Sequence, residues 1–144
     1  MARTDKFRHE HNELLALAHE LQQQLDPHTL ATNASIARAS LGKLIGKLVL
    51  HLTIEDKLLY PELAACGDPT LAGLALAFAD EMKTTTGQVI AYNARWATVA
   101  AIKAEPQAFI DQTHQVIAIL ADRIKRENQE LYAAADRLEG KVFA

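Results

Sequence analysis

His51-Leu-Thr-Ile-Glu55-Asp-Lys-Leu-Leu-Tyr60-Pro61 is the stretch whose reading decides the fold. Upstream of it, Ala37, Leu41, Leu44 and Leu48 recur at alternating steps of four and three residues. That is the apolar seam of a helix packed in a bundle. The same steps continue onto His51, Glu55 and Leu58, so an imidazole and a carboxylate stand where the helix should be dry. A polar group taken out of water needs a partner, a metal ion or a changed protonation state. His51 and Glu55 are one helical turn apart and share a face, so both can reach one cation.

The same stripe recurs along the rest of the chain. It runs Phe7, His11, Leu14, Ala18, Leu21, Leu25, then Leu71, Ala75, Phe78, Met82, Thr85, Val89, Tyr92, Trp96, Val99. A last run is Phe109, Thr113, Val116, Leu120, Arg123, Glu127, and then Glu130 or Leu131. Asp26-Pro27, Cys66-Gly67-Asp68-Pro69 and Glu105-Pro106 punctuate these runs, and Asp68-Pro69 has the form of an N-cap followed by proline at the first helical position. Four helices are predicted, at about residues 4–25, 33–65, 69–103 and 106–138. Short connections make neighbours antiparallel, so the predicted architecture is an all-α, up-down-up-down four-helix bundle filling the chain, 1–144, as one domain.

Five residues break the apolar seam: His11, His51, Glu55, Arg123 and Glu127. At about 1.5 Å of rise per residue, all five fall at one depth of an antiparallel bundle. The chain also repeats itself weakly. Residues 51–61 align with 123–133, matching Glu55 to Glu127, Leu59 to Leu131 and Tyr60 to Tyr132; Glu10-His11 aligns likewise with Glu81-Met82. Two helical hairpins related by a pseudo-twofold are expected, with a site between them. His11, His51, Glu55 and Glu127 offer two nitrogens and two carboxylates, a set suited to iron, manganese or zinc. Tyr60 and Tyr132 are expected to pack in the core with each hydroxyl reaching a polar partner, or to support the site.

Bulk properties exclude several classes. A net charge of −3 and a pI near 6.0 give no basic footprint for nucleic acid or an anionic membrane. The polar N-terminus and the lack of any long apolar span predict a cytoplasmic protein outside the membrane. The single cysteine, Cys66, permits no intrachain disulfide and no zinc-finger spacing. No Glu-x-x-His pair of the ferritin-like kind occurs, and no glycine-rich phosphate loop. His9, His19, His28 and His114 lie off the seam and are assigned to solvent.

His11 followed by His51-x-x-x-Glu55-Asp56-x-x-Leu59-Tyr60-Pro61 resembles the hemerythrin-like (HHE cation-binding) family, over nearly the whole chain. The resemblance implies a bundle whose core holds non-haem iron, used for dioxygen binding, gas or redox sensing, or iron handling, and the expected task is binding or sensing a small redox-active ligand without turnover. It maps His11, His51, Glu55 and Glu127 onto the family's ligand positions. It also marks two departures, since the family carries histidines where this chain has Met82 and Arg123. A thioether is a poor ligand for hard ferric iron, and a guanidinium cannot ligate at all. The iron site is therefore expected to be mononuclear, an incomplete diiron centre, or absent. In the metal-free alternative Arg123 replaces the second metal and pairs with Glu55 and Glu127, and the bundle serves as a regulatory module for a protein partner or for self-association.

Overall fold

Asp26 and Asp68 begin the two central helices by accepting hydrogen bonds from free backbone N–H groups, Asp26 from Thr29 and Asp68 from Thr70 and Leu71. A proline follows each at the first helical position, where its missing N–H costs nothing. Gly67, at φ +87°, supplies the left-handed turn that separates the second helical arm from the third.

The computed structural model describes residues 4–143. Its first arm is α1 (Asp5–Gln22). The second is α2 (Pro27–Ile54), a π-helical turn (Glu55–Leu59) and α3 (Tyr60–Ala64). The third is α4 (Pro69–Arg95), joined through the short α5 (Val99–Ala104) to the fourth. The fourth is α6 (Pro106–Arg126), a second π-helical turn (Glu127–Tyr132) and α7 (Ala133–Phe143). The four long arms form an all-helical bundle, with α1 on α2, α3 on α4, and α6 touching α1, α2 and α4. The expected seam forms the core, in which Leu14, Leu21, Leu41, Leu44, Leu48, Phe78 and Phe109 are all buried. Among the described residues, no helix is long and apolar enough to cross a membrane.

Three expectations need correction. The second helix begins at Pro27, not near 33, with Asn33 (φ −136°, ψ 44°) kinking it. The third does not run to 103. It stops at Arg95, because Trp96 turns into the core to donate to Gln112 Oε1 (2.9 Å) and Thr98 caps a new helix by accepting from the Ala101 N–H. A threonine that can cap competes with helix continuation.

The third correction concerns register. Leu58 is 64% exposed and Leu59 is 1% exposed. In the fourth arm Leu131 is buried and Glu130 is exposed. Each π turn takes in one more residue than an α turn, so the seam advances by one position past Glu55 and past Glu127. Tyr60 and Tyr132, five residues after each glutamate, are thereby returned to its side of the helix. Both π turns start at a seam glutamate, which gives the internal repeat a structural counterpart.

Leu59→Ala should lower unfolding free energy by about 2–5 kcal/mol, and Leu58→Ala should change it by no more than about 0.5 kcal/mol. Urea melts of the two variants check this; the reverse order would place the seam in uninterrupted α-helical register.

Candidate metal centre

His11 leaves α1, His51 leaves the end of α2, and Glu55 and Glu127 open the two π turns; all four side chains meet in the bundle core. One ligating atom from each lies within 4.8 Å of the other three. None of the four residues is more than 2% exposed. The single-layer convergence expected of these residues is therefore present. The histidines expected in solvent, His9, His19, His28 and His114, are exposed.

The donor atoms are presented in an ordered way. Asn128 Oδ1 lies 2.9 Å from His11 Nδ1 and can only accept, so Nδ1 carries a hydrogen, while Nε2 turns inward, 3.3 Å from the Tyr132 hydroxyl. That Nε2 faces Glu127 Oε1 at 3.4 Å. His51 Nδ1 lies 3.7 Å from Glu10 Oε2, and neither atom has a hydrogen-bond partner. His51 Nε2 and Glu55 Oε1 are 2.8 Å apart, yet both lack a hydrogen-bond partner because they are misaligned for each other. The two buried polar atoms therefore approach without satisfying each other.

Tyrosines hold the outer carboxylate oxygens. Tyr132 donates to Glu55 Oε2 at 2.8 Å, and Tyr60 donates to Glu127 Oε2 at 2.6 Å. The bonds cross between the hairpins, each tyrosine serving the other half's glutamate. Each carboxylate thus keeps its Oε1 for the interior. His11 stacks on the Tyr132 ring at 5.2 Å and lies 4.7 Å from the His51 ring, and Phe7 meets His51 edge-on at 5.9 Å.

Electrostatics follow from burial. Desolvation, aided by the neighbouring Glu127 charge, pushes the Glu55 carboxyl well above the usual carboxylate range. Burial pushes Glu127 the same way, but its close polar neighbours Glu55, His11 and Tyr60 outweigh it and hold Glu127 low. Burial lowers His51, with Glu127 and Glu10 opposing in part. Burial also raises both phenols, so Tyr60 and Tyr132 remain donors at neutral pH.

Arg123 does not pair with Glu55 and Glu127, contrary to the metal-free expectation. It reaches outward to Glu81 Oε2 (2.9 Å) and to the Phe78 carbonyl, and bonds the Tyr60 hydroxyl at 3.2 Å. The Phe78 ring lies under its guanidinium at 4.5 Å. Tyr60 comes between: its hydroxyl accepts from Arg123 and donates to Glu127, so the arginine touches the cluster only through a phenol. Met82 is buried and lines an outer groove between α2 and α4. Sequence reasoning assigned no role to Glu10, Glu81 and Asn128. The signal for the first two was present, since each directly precedes a position of the internal repeat.

Beside the cluster is a cavity of about 20 Å³, bounded by His11, His51 and Glu127 and otherwise mainly by apolar side chains such as Leu14, Leu48 and Val116. It has room for about one water-sized molecule. Leu52 and Val89 wall this cavity and also line the α2–α4 groove outside it.

The Hemerythrin HHE cation binding domain family matches residues 2–135. The chain belongs to this family. No curated protein and no solved structure matches it. For an HHE domain the residues present fit a metal ion: two imidazole nitrogens and two carboxylate oxygens converge, and buried His51 Nε2 and Glu55 Oε1 lack any other partner.

The metal-free protein should respond to pH in a defined sense. A carboxyl raised by folding contributes stability that is fully present below its ordinary value and lost as pH rises through the folded value. Glu55 is such a group. Glu55→Gln removes the ionisable group while keeping the shape, so metal-free Glu55→Gln should melt higher than metal-free wild type at pH 8 by a few degrees. The gap should narrow toward pH 5. Scanning calorimetry in chelator checks this; a lower melting temperature for the variant at pH 8 would contradict the buried-charge assignment.

Proposed function

We propose that this HHE domain binds a non-haem transition metal, iron, through His11, His51, Glu55 and Glu127, and uses it to bind or sense a small redox-active ligand such as dioxygen. The observation that carries the reading is the pair of buried, unpartnered atoms, His51 Nε2 and Glu55 Oε1, within a cluster that brings donor atoms of His11, His51, Glu55 and Glu127 within 4.8 Å of one another. A mixed nitrogen and oxygen donor set suits iron in either common oxidation state. Bound iron supplies reversible redox chemistry and an affinity for small ligands.

The chain's own residues set the conditions. Asn128 holds the ring hydrogen of His11 on its outer nitrogen, and Glu10 lies 3.7 Å from the outer nitrogen of His51. Tyr60 and Tyr132 hold Glu127 and Glu55 in place and remain protonated. The adjoining cavity favours a small uncharged molecule, because most of its wall is hydrocarbon and a charged ligand would be desolvated there. Leu52 and Val89 stand between that cavity and the α2–α4 groove, and Thr85, Ile119 and Arg123 stand between it and a groove on the α4–α6 side. Outside the four candidate ligands, the described residues that line the cavity include no carboxylate or imidazole, which favours binding over turnover.

Protein purified without chelator should carry iron, and His51→Ala should lose most of it, with tenfold or more loss of affinity. Anaerobic protein exposed to oxygen should change its near-ultraviolet and visible spectrum. Metal-free wild type with full helicity, after growth in iron-replete medium and reconstitution with ferrous iron, would contradict the reading.

A further inference from the structure

We propose that this protein takes a single divalent cation, because Arg123 and Met82 stand at the positions where the fold's internal symmetry would need donors for a second. The inference rests on the metal-binding reading above and concerns how many ions that site admits.

The internal repeat pairs Glu10 with Glu81, His11 with Met82, His51 with Arg123, Glu55 with Glu127, and Tyr60 with Tyr132. The contacts respect this pairing. Glu10 faces His51 at 3.7 Å, and Glu81 bonds Arg123 at 2.9 Å. Tyr132 holds Glu55, and Tyr60 holds Glu127. A π turn starts at each glutamate. The two hairpins therefore build equivalent frames, and they differ in what the frames present. The first presents two imidazoles. The second presents a thioether and a guanidinium at the corresponding places.

Charge and donor supply then decide the number of ions. Glu55 and Glu127 bring two negative charges, which one divalent cation balances. Their Oε2 atoms are committed to tyrosine hydroxyls, so each carboxylate has one oxygen to give. Arg123 offers no lone pair and carries a permanent charge. It is 4% exposed and linked to Glu127 through Tyr60. A second cation would find no nitrogen donor in this half and a fixed positive charge nearby. With Phe78 beneath it and Glu81 beside it, the guanidinium is held in place and reaches Glu127 only through the Tyr60 hydroxyl.

The test is anaerobic titration of chelator-stripped protein with Co2+, followed by equilibrium dialysis and visible absorption. Wild type should bind one Co2+ per chain at the buried site. The Met82→His, Arg123→His double variant, which copies the first hairpin's donors into the second, should bind two, with added visible absorption from the second ion. Arg123→Met should keep one ion and bind it tighter by on the order of tenfold, since a nearby positive charge is gone, while Arg123→Lys should stay near wild type. Two Co2+ per wild-type chain would overturn this inference and leave metal binding intact. No Co2+ would overturn both. A double variant of wild-type helicity that still takes one ion would remove Arg123 and Met82 as the cause. Should the double variant not fold, an unchanged or weaker Co2+ affinity in Arg123→Met would overturn the role of the charge.

Discussion

Two carboxylates facing each other in the dry layer of a helical bundle are the constraint on which the rest of this structure depends. Glu55 and Glu127 are 0% and 1% exposed. Leaving both ionised there without a cation is costly, because like charges repel strongly where water cannot screen them. The surrounding side chains reduce that cost without removing it. Tyrosines bond the outer oxygens, and an imidazole stands beside each inner one. What remains is a buried carboxylate pair with imidazole nitrogens turned toward it. An all-hydrocarbon layer would give a more stable bundle, so this layer is understandable as a binding site.

The backbone is adapted to that task. An uninterrupted α-helix would place the residue five positions after each glutamate well round the helix. The π turns at Glu55 and Glu127 bring Tyr60 and Tyr132 back toward the centre, where each crosses to the opposite hairpin's glutamate. The two halves are thereby bound together at the site itself. The surface response is visible in Leu58, which the same shift turns into solvent.

Much of this was legible in the sequence. The alternating three- and four-residue spacing of Leu44, Leu48, His51 and Glu55 specifies both a bundle helix and the polar residues inside it, because burial and periodicity are the same signal. The π turns left no such trace. One extra residue in a turn changes neither composition nor hydropathy, and the only hint was the ambiguity between Glu130 and Leu131. The break at Trp96 was hidden for a related reason: the apolar stripe runs straight through it, while the capping preference of Thr98 is local. Arg123 was correctly placed in the polar layer and wrongly paired. Its partner depends on how α4 packs against α6, which brings Glu81 and the Phe78 carbonyl within reach before either buried carboxylate. Side-chain choice among several buried acceptors is a tertiary matter that helical periodicity does not encode.

The most direct measurement is an anomalous-difference map from crystals grown with ferrous iron or Co2+, recorded at the absorption edge of that metal. The account predicts a peak at bonding distance from His11 Nε2, His51 Nε2, Glu55 Oε1 and Glu127 Oε1. A map with strong metal peaks only elsewhere on the molecule, and none within that group of four, would contradict it.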